Sequence, residues 1–476
     1  MSRSLAPASR QPPGGFTHAA SGTTYRIESS ASGTWQSYGR AGENAKLRID
    51  YVIGSGNHAF GYLTDIDHHL FQSPLSYYTT RRLWDMAPGY EQATHPDFSR
   101  PVTLECLTCH ADQPRLVPGT LNTYQVPPFG QIAISCDRCH GPTETHLQRP
   151  VAGSILNPAR LTGAARDSVC EQCHLAGEAR VPNPGKTVAD FRVGQRTEDV
   201  YTTYVTAPRP GDSSIKVISH SEQLALSMCA RGSSGRLWCG TCHNPHDKPE
   251  PAASAAYFRE KCLGCHAATL EAAHASPGRD CVACHMPQRP TKDGGHTAFT
   301  DHRIARRPEP PVEIAPESDL KAWRNPDASV AQRNLALALA TLGLDRSTPD
   351  LAIRGFKMLN RLGPELNGDP EALAALGSIL LTAKEPVEAQ RRFARALTLR
   401  PNYAPYEVDL SSALMASGDI VNATHHAERA LKLDPLLEQG VELLSRLYKM
   451  QGEEAKSAAV LAKYRSAMGA TAGSGL

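Results

Sequence analysis

One five-residue word, Cys-x-x-Cys-His, occurs six times and limits what this chain can fold into. The copies are Cys106-Leu-Thr-Cys109-His110, Cys136-Asp-Arg-Cys139-His140, Cys170-Glu-Gln-Cys173-His174, Cys239-Gly-Thr-Cys242-His243, Cys262-Leu-Gly-Cys265-His266 and Cys281-Val-Ala-Cys284-His285. Two thiols at this spacing, followed at once by an imidazole, are the attachment signature of haem c. The thiols add to the two porphyrin vinyl groups, and the histidine ligates the iron from one face. With 19 histidines in 476 residues, six such coincidences have a probability below about 10⁻⁸. Twelve of the 13 cysteines fall in these motifs. The remaining one, Cys229, reads as a buried structural thiol.

Two other uses of cysteine are excluded. A disulfide framework needs varied spacings, which are absent here. Zinc sites do not require a histidine after every second cysteine. The net charge of +2 argues against a nucleic-acid ligand. Aromatic residues make up only 6% of the chain, so a conventional core is expected only toward the C-terminus, with covalently held macrocycles supplying apolar bulk elsewhere. No run of 18 apolar residues marks a membrane span.

Four segments follow in order. Residues 1–105 carry no motif and read as short strands and loops, with strands at Thr23 to Glu28 and Ala45 to Val52. Gly54-Ser55-Gly56 is a turn, because no Lys-Ser/Thr follows to make it a phosphate loop. Trp84, Tyr77, Tyr78 and Tyr90 are expected to pack against haem faces. Residues 106–307 form the multihaem segment, irregular with short helices and few strands. Cys239, Cys262 and Cys281 lie so close in sequence that their macrocycles must be neighbours, and strands are expected around Lys186 to Thr203. Residues 308–318 are a proline-rich linker. Residues 319–476 show a 34-residue helical period, in which Ala396 recurs as Ala430, Pro401 as Pro435, Leu376 as Leu410 and Gly418 as Gly452. That period is the signature of tetratricopeptide (TPR) helical hairpins. Residues 319–362 read as a divergent first repeat with an insertion, and about 436–468 as a degraded capping copy.

Each iron has its motif histidine on one side, so the sixth position decides between electron transfer and catalysis. His146, His220, His246 and His302 are the first candidates. His18, His274 and His296 come next, and His58, His68, His69 and His95 rank last. His425 and His426 fall in the helical repeats and read as surface residues. Met286 adjoins His285 and cannot reach the opposite face of the same iron.

Several stretches resemble bacterial multihaem c-type cytochromes with a TPR tail, whose haem region is similar to the family of hydroxylamine oxidoreductase and cytochrome c nitrite reductase. They are Phe16-Thr-His18-Ala-Ala-Ser-Gly, Met86-Ala-Pro-Gly-Tyr90, Cys139-His140-Gly-Pro, His220-Ser-Glu-Gln-Leu, Trp238 to His246, Cys284-His285-Met-Pro and His296-Thr-Ala-Phe-Thr-Asp-His302-Arg-Ile. The resemblance implies bis-histidine haems, with His18, His146, His220, His246 and His302 as distal ligands and His296 as a further candidate. It also implies export to the periplasm. Since Met1-Ser-Arg-Ser-Leu has no signal-peptide core, a signal peptide and a seventh haem motif are expected upstream of it.

The expected activity is electron transfer through closely spaced haems, with the repeats docking a redox partner. The alternative is a reductase or oxidase acting on a small nitrogen or sulfur compound at one open haem. The lysine-ligated CxxCK variant of nitrite reductases is absent. A scaffold in which the repeats matter more than the redox chemistry ranks last. A pyridine haemochrome assay should return six haems per chain, and a lower count would contradict the reading of the motifs.

Overall fold

The computed structural model describes residues 5–7, 11–40, 43–94, 96–206, 215–273, 280–305 and 320–472. His95, His274 and the proline-rich linker 308–318 lie outside them.

The N-terminal hundred residues are more strongly β than expected. Strands Gly14–His18, Thr23–Ser30, Gly33–Arg40 and Glu43–Ile49 form an antiparallel meander. Its register follows the period-two alternation of the sequence, with Thr23, Tyr25 and Ile27, then Ala45, Leu47 and Ile49, all turned inward. A second sheet takes strands Leu5–Pro7, Tyr51–Ile53, Gly61–Ile66 and His69–Gln72 in spatial order. Between them Tyr25, Ile27, Tyr62, Leu75, Trp84, Met86 and Tyr90 make an ordinary apolar core. Trp84, Tyr77 and Tyr90 therefore stabilise this β module, contrary to the expectation that they line haems. Trp84 lies 5.2 Å from both Tyr62 and Tyr77.

The motif segment is a string of short helices: α1 Leu104–His110, α2 Asp137–His140, α3 Glu144–Gln148, α4 Gly163–His174, α5 His220–Leu226, α6 Met228–Gly232, α7 Cys239–Cys242, α8 Ser254–Ala273 and α9 Cys281–His285. Every motif lies on or at the end of one of them. Helix α1 is seated in the β module, where Leu107 and Ala111 pack with Leu63, Leu70 and Phe129. Of the strands expected near 186–203, Tyr201–Val205 begins inside that range, and its antiparallel partner Ala179–Pro182 lies just before it.

Eight helices follow: α10 Ala328–Asp345, α11 Pro349–Leu362, α12 Pro370–Thr382, α13 Pro386–Leu399, α14 Ala404–Ala416, α15 Ile420–Leu433, α16 Glu438–Met450 and α17 Glu454–Ala467. They pair as four consecutive hairpins. Asp327, Asp369 and Asp419 cap helix N-termini through their side chains, and Pro349, Pro370 and Pro386 open theirs, where no amide is needed. Lys384, Gly418 and Gly452, one repeat apart, all have positive φ (63°, 89° and 74°). Two of the three are glycine because a Cβ is strained in that turn. The hairpin helices cross at small residues: a Cβ on Gly377 would meet Phe393 at 2.7 Å. Gly343 and Gly355 cross in the same way one repeat earlier, so the first repeat is in register and contains no insertion before Gly377.

This array is tied to the rest of the chain at three places. At its start, strand Lys321–Ala322 adds to Tyr201–Val205. There Arg333 pairs with Asp369 while donating to the Pro182 carbonyl, and Asn334 donates to Asn183 and Thr202. In the middle, the Ala404 amide donates to Gly119 (2.9 Å). Buried Asp434 accepts from the Leu121 amide and from His69 Nε2, both at 3.0 Å. At its end, strand Ala470–Ala472 becomes the fifth strand of the first sheet. The repeats therefore clamp the N-terminal sheets and the 119–205 stretch of the chain and are not a free-standing tail. No described helix is long and apolar enough to cross a membrane.

Burial by itself would push the His69 imidazolium down, but the hydrogen bond and charge of Asp434 hold it above its ordinary value. The raised value means that this pair's contribution is complete below about pH 6.5 and is lost as pH rises through the folded value. Asp434→Ala should cost about 3 kcal/mol in urea unfolding, because it strands a buried amide and imidazole. The exposed control Lys432→Ala should stay within about 0.5 kcal/mol. The gap between wild type and Asp434→Ala should narrow above neutral pH.

Candidate functional site

The thiols of different motifs meet in pairs. Cys109 and Cys173 are in hydrogen-bond contact, as are Cys170 with Cys239 and Cys262 with Cys281. A hydrogen bond from Cys173, helped by the Arg180 guanidinium, holds the Cys109 thiol low, and the same contact drives Cys173 up. All 13 cysteines are unbridged. The first motif therefore touches the third, the third the fourth, and the fifth the sixth, which are the contacts expected when the groups they carry lie side by side.

The imidazoles also come together. His140 lies parallel to His246 with centroids 5.8 Å apart. His243 faces His302 at 6.1 Å, and His174 meets His220 edge to face at 5.0 Å. His220 and His302 are 4.9 Å apart, joining the last two pairs. Two imidazoles sharing one metal through bonds of about 2 Å have centroids about 6 Å apart; the His140–His246 and His243–His302 separations match that span, and the edge-to-face His174–His220 pair is closer. Among the described residues, no group of three or more His, Cys, Asp or Glu is arranged around a bare ion.

Protonation state agrees with that fit. Burial, then the neighbouring rings of His174, His302 and His243, pushes His220 down to about 3. Burial lowers His110, His174, His243 and His302 as well. All five are neutral at pH 7, the form that ligates metal. His220 Nδ1 is buried without a hydrogen-bond partner. In His140, His285 and His302, Nδ1–H donates to the carbonyls of Leu156 (2.7 Å), Ala305 (2.9 Å) and Thr300 (2.9 Å). In each of them Nε2 is the unprotonated nitrogen, the tautomer a metal-ligating histidine takes. His146 Nδ1 bonds Ser154 Oγ at 2.7 Å, and that hydroxyl donates to Val151, so His146 is prepared in the same way.

Other candidates differ. His18 lies in the first sheet, with Nδ1 on Ser21 Oγ and Nε2–H donating to the Glu91 carbonyl at 3.0 Å. His296 Nε2 pairs with Asp85 at 2.6 Å, and its ring stands 5.0 Å from Tyr78. Neither presents a free Nε2. His58 packs against Phe299 with ring centroids 4.3 Å apart, and His69 is committed to Asp434. His266 is exposed on α8. His425 is exposed as expected, whereas His426 is half-buried and bonds the buried Glu407 at 2.6 Å.

Several residues that hold the site gave no signal in sequence. Glu171 and Gln172 are the two variable positions of the third motif, yet both are buried. Glu171 accepts a bidentate pair from Arg324 (2.6 and 2.7 Å) and the Trp323 indole N–H (3.0 Å). Burial pushes its carboxyl up, against those donors. Gln172 donates to the Arg138 carbonyl, tying the third motif to the second. Asp301 collects Arg289 and Arg303, both at 2.6 Å. Burial raises its carboxyl, but those donors outweigh burial and hold it low. The His302 amide donates to Gln223 on α5, the helix that carries His220.

A sequence-family profile described as the doubled CXXCH motif matches residues 232–271. That stretch holds the motifs at Cys239 and Cys262 and indicates covalent haem c, the attachment chemistry of c-type cytochromes. No curated protein matches the chain. Solved structures similar to it include MamA (21% identity, 28% of this chain and 76% of that one, TM-score 0.25). Another is YrrB, described as a TPR protein with an unusual peptide-binding site (20% identity, 29% and 70%, TM-score 0.26). The hairpin assignment rests on the helix register above. Replacing Cys239 and Cys242 by Ser, or Cys262 and Cys265 by Ser, should each lower the pyridine haemochrome value by one haem per chain.

Proposed function

We propose that this protein is an exported multihaem c-type cytochrome that transfers single electrons through six closely spaced, bis-histidine haems. The observation that carries this reading is the unbroken run of rings His174, His220, His302 and His243. Two ligand pairs touch through His220 and His302, 4.9 Å apart, so the two iron sites share a wall. Haem c, when bound, supplies reversible one-electron iron chemistry. The chain does the rest: cysteines hold each group covalently, Nδ1–H donors orient the imidazoles, and burial keeps those imidazoles neutral and shielded from water.

On this reading His110, His140, His174, His243, His266 and His285 are proximal ligands. His146, His220, His246 and His302 are the distal ligands that the geometry supports best, and the two remaining haems draw theirs from His18, His274 and His296. The resemblance to the hydroxylamine oxidoreductase and cytochrome c nitrite reductase family supports the same reading. The repeats clamp the haem segment, and helical hairpins of this kind also offer a surface for a redox partner.

Electron paramagnetic resonance of the oxidised protein should give low-spin ferric signals alone, and His302→Ala should add one high-spin signal. A high-spin signal in the wild type would overturn the carrier reading in favour of an oxidoreductase acting on a small nitrogen or sulfur compound.

A further inference from the structure

The outer surface of the helical array carries a pattern that neither haem binding nor array packing requires. Ile353, Val387 and Val421 stand 34 residues apart, at the same position of the repeat, on α11, α13 and α15. They are 47%, 55% and 75% exposed. Apolar side chains are normally scattered singly over a surface, whereas these three recur in register across three repeats.

One turn further along each helix the residues are Lys357, Arg391 and His425, and a turn beyond that Arg361, Arg395, Arg429 and, on α17, Lys463. All seven are exposed. Positions four and eight residues apart share a helix face, so each helix shows one aliphatic residue followed by basic ones. No acidic residue occupies either basic row. Neighbouring carboxylates do exist: Glu388 pairs with Arg391 at 2.6 Å, and Glu407 with Arg429 at 3.0 Å. Arg395 donates to the Asn367 carbonyl. The other basic side chains still leave the face strongly cationic.

Helix-dipole compensation explains a cation in the last turn, such as Arg361. It explains neither the row one turn earlier nor the aliphatic row near the helix starts. The extensive contacts of α11, α13 and α15 are all with other elements of the array. This face is therefore separated from the motif helices and is badly placed for passing electrons. Aliphatic side chains beside rows of Lys and Arg are what an anionic lipid interface selects.

We propose that the outer face of the array binds an anionic phospholipid surface through these rows, holding the protein at a membrane with its haem segment turned away. The test is sedimentation of the haem-loaded full chain with vesicles. At low salt the protein should pellet with vesicles of equal parts phosphatidylglycerol and phosphatidylcholine, and stay in solution with phosphatidylcholine alone. Raised salt should release it.

Combining Lys357→Glu, Arg361→Glu, Arg391→Glu and Arg395→Glu should lower partitioning at least about 100-fold. Helical circular dichroism and the haem absorption bands should stay unchanged. Ile353→Ser, Val387→Ser and Val421→Ser together should weaken binding without altering its salt dependence. No binding of wild type to the mixed vesicles, equal binding to both vesicle types, or a charge-reversed variant that binds like wild type would each overturn the proposal. Retention on immobilised polyglutamate without vesicle binding would also overturn it, and would assign the face to an acidic protein.

Discussion

Among the described residues, not one apolar side chain between Ile215 and Ala336 is buried. A hundred residues of chain that fully bury no apolar side chain offset little of the entropy of their own ordering. Whatever fixes that segment must come from groups it carries and from neighbours that enclose it. Both are present. Three of the six attachment motifs, at Cys239, Cys262 and Cys281, fall within this stretch, and on either side lie modules with ordinary cores. One is the β module around Tyr62 and Trp84, and the other is the helical array around Ala389, Phe393 and Ala413.

The joints between these modules are polar and buried. Asp434 satisfies an amide and an imidazole from two different loops. Glu171, inside a haem motif, is held by Trp323 and Arg324 from the segment that leads into the array. Buried polar contacts of this kind add little net stability, but they are costly to leave half-made. They therefore select one arrangement of modules over others that would bury similar area. The array's end strand closing the first sheet has the same effect through backbone bonds.

Much of the architecture was legible in sequence, because it depends on local periodicity. The alternation from Thr23 to Ile27 became a strand, and the 34-residue period became four hairpins. The aromatic residues of the N-terminal segment were misassigned to haem faces, because composition averaged over the whole chain hid a local β core. The absence of an insertion in the first repeat was likewise hidden. Gly343 and Gly355 mark a helix crossing only when seen against Ala352 and Ala340.

For the site, the sequence by itself indicated the attachment chemistry and, on the proposed reading, the six proximal histidines, because thiols and imidazole must be adjacent in the chain to reach one macrocycle. It could only rank the opposite-face histidines, since those ligands come from distant segments. Tertiary structure separated them. His220, His246 and His302 stand against motif imidazoles, and His146 and His302 have Nδ1 committed to an oxygen acceptor. His18 and His296 instead spend Nε2 on Glu91 and Asp85. Only folding decides which ring nitrogen keeps its lone pair, because that depends on an acceptor elsewhere in the chain. The same holds for Glu171, Gln172 and Asp301, whose importance lies wholly in what they are folded against.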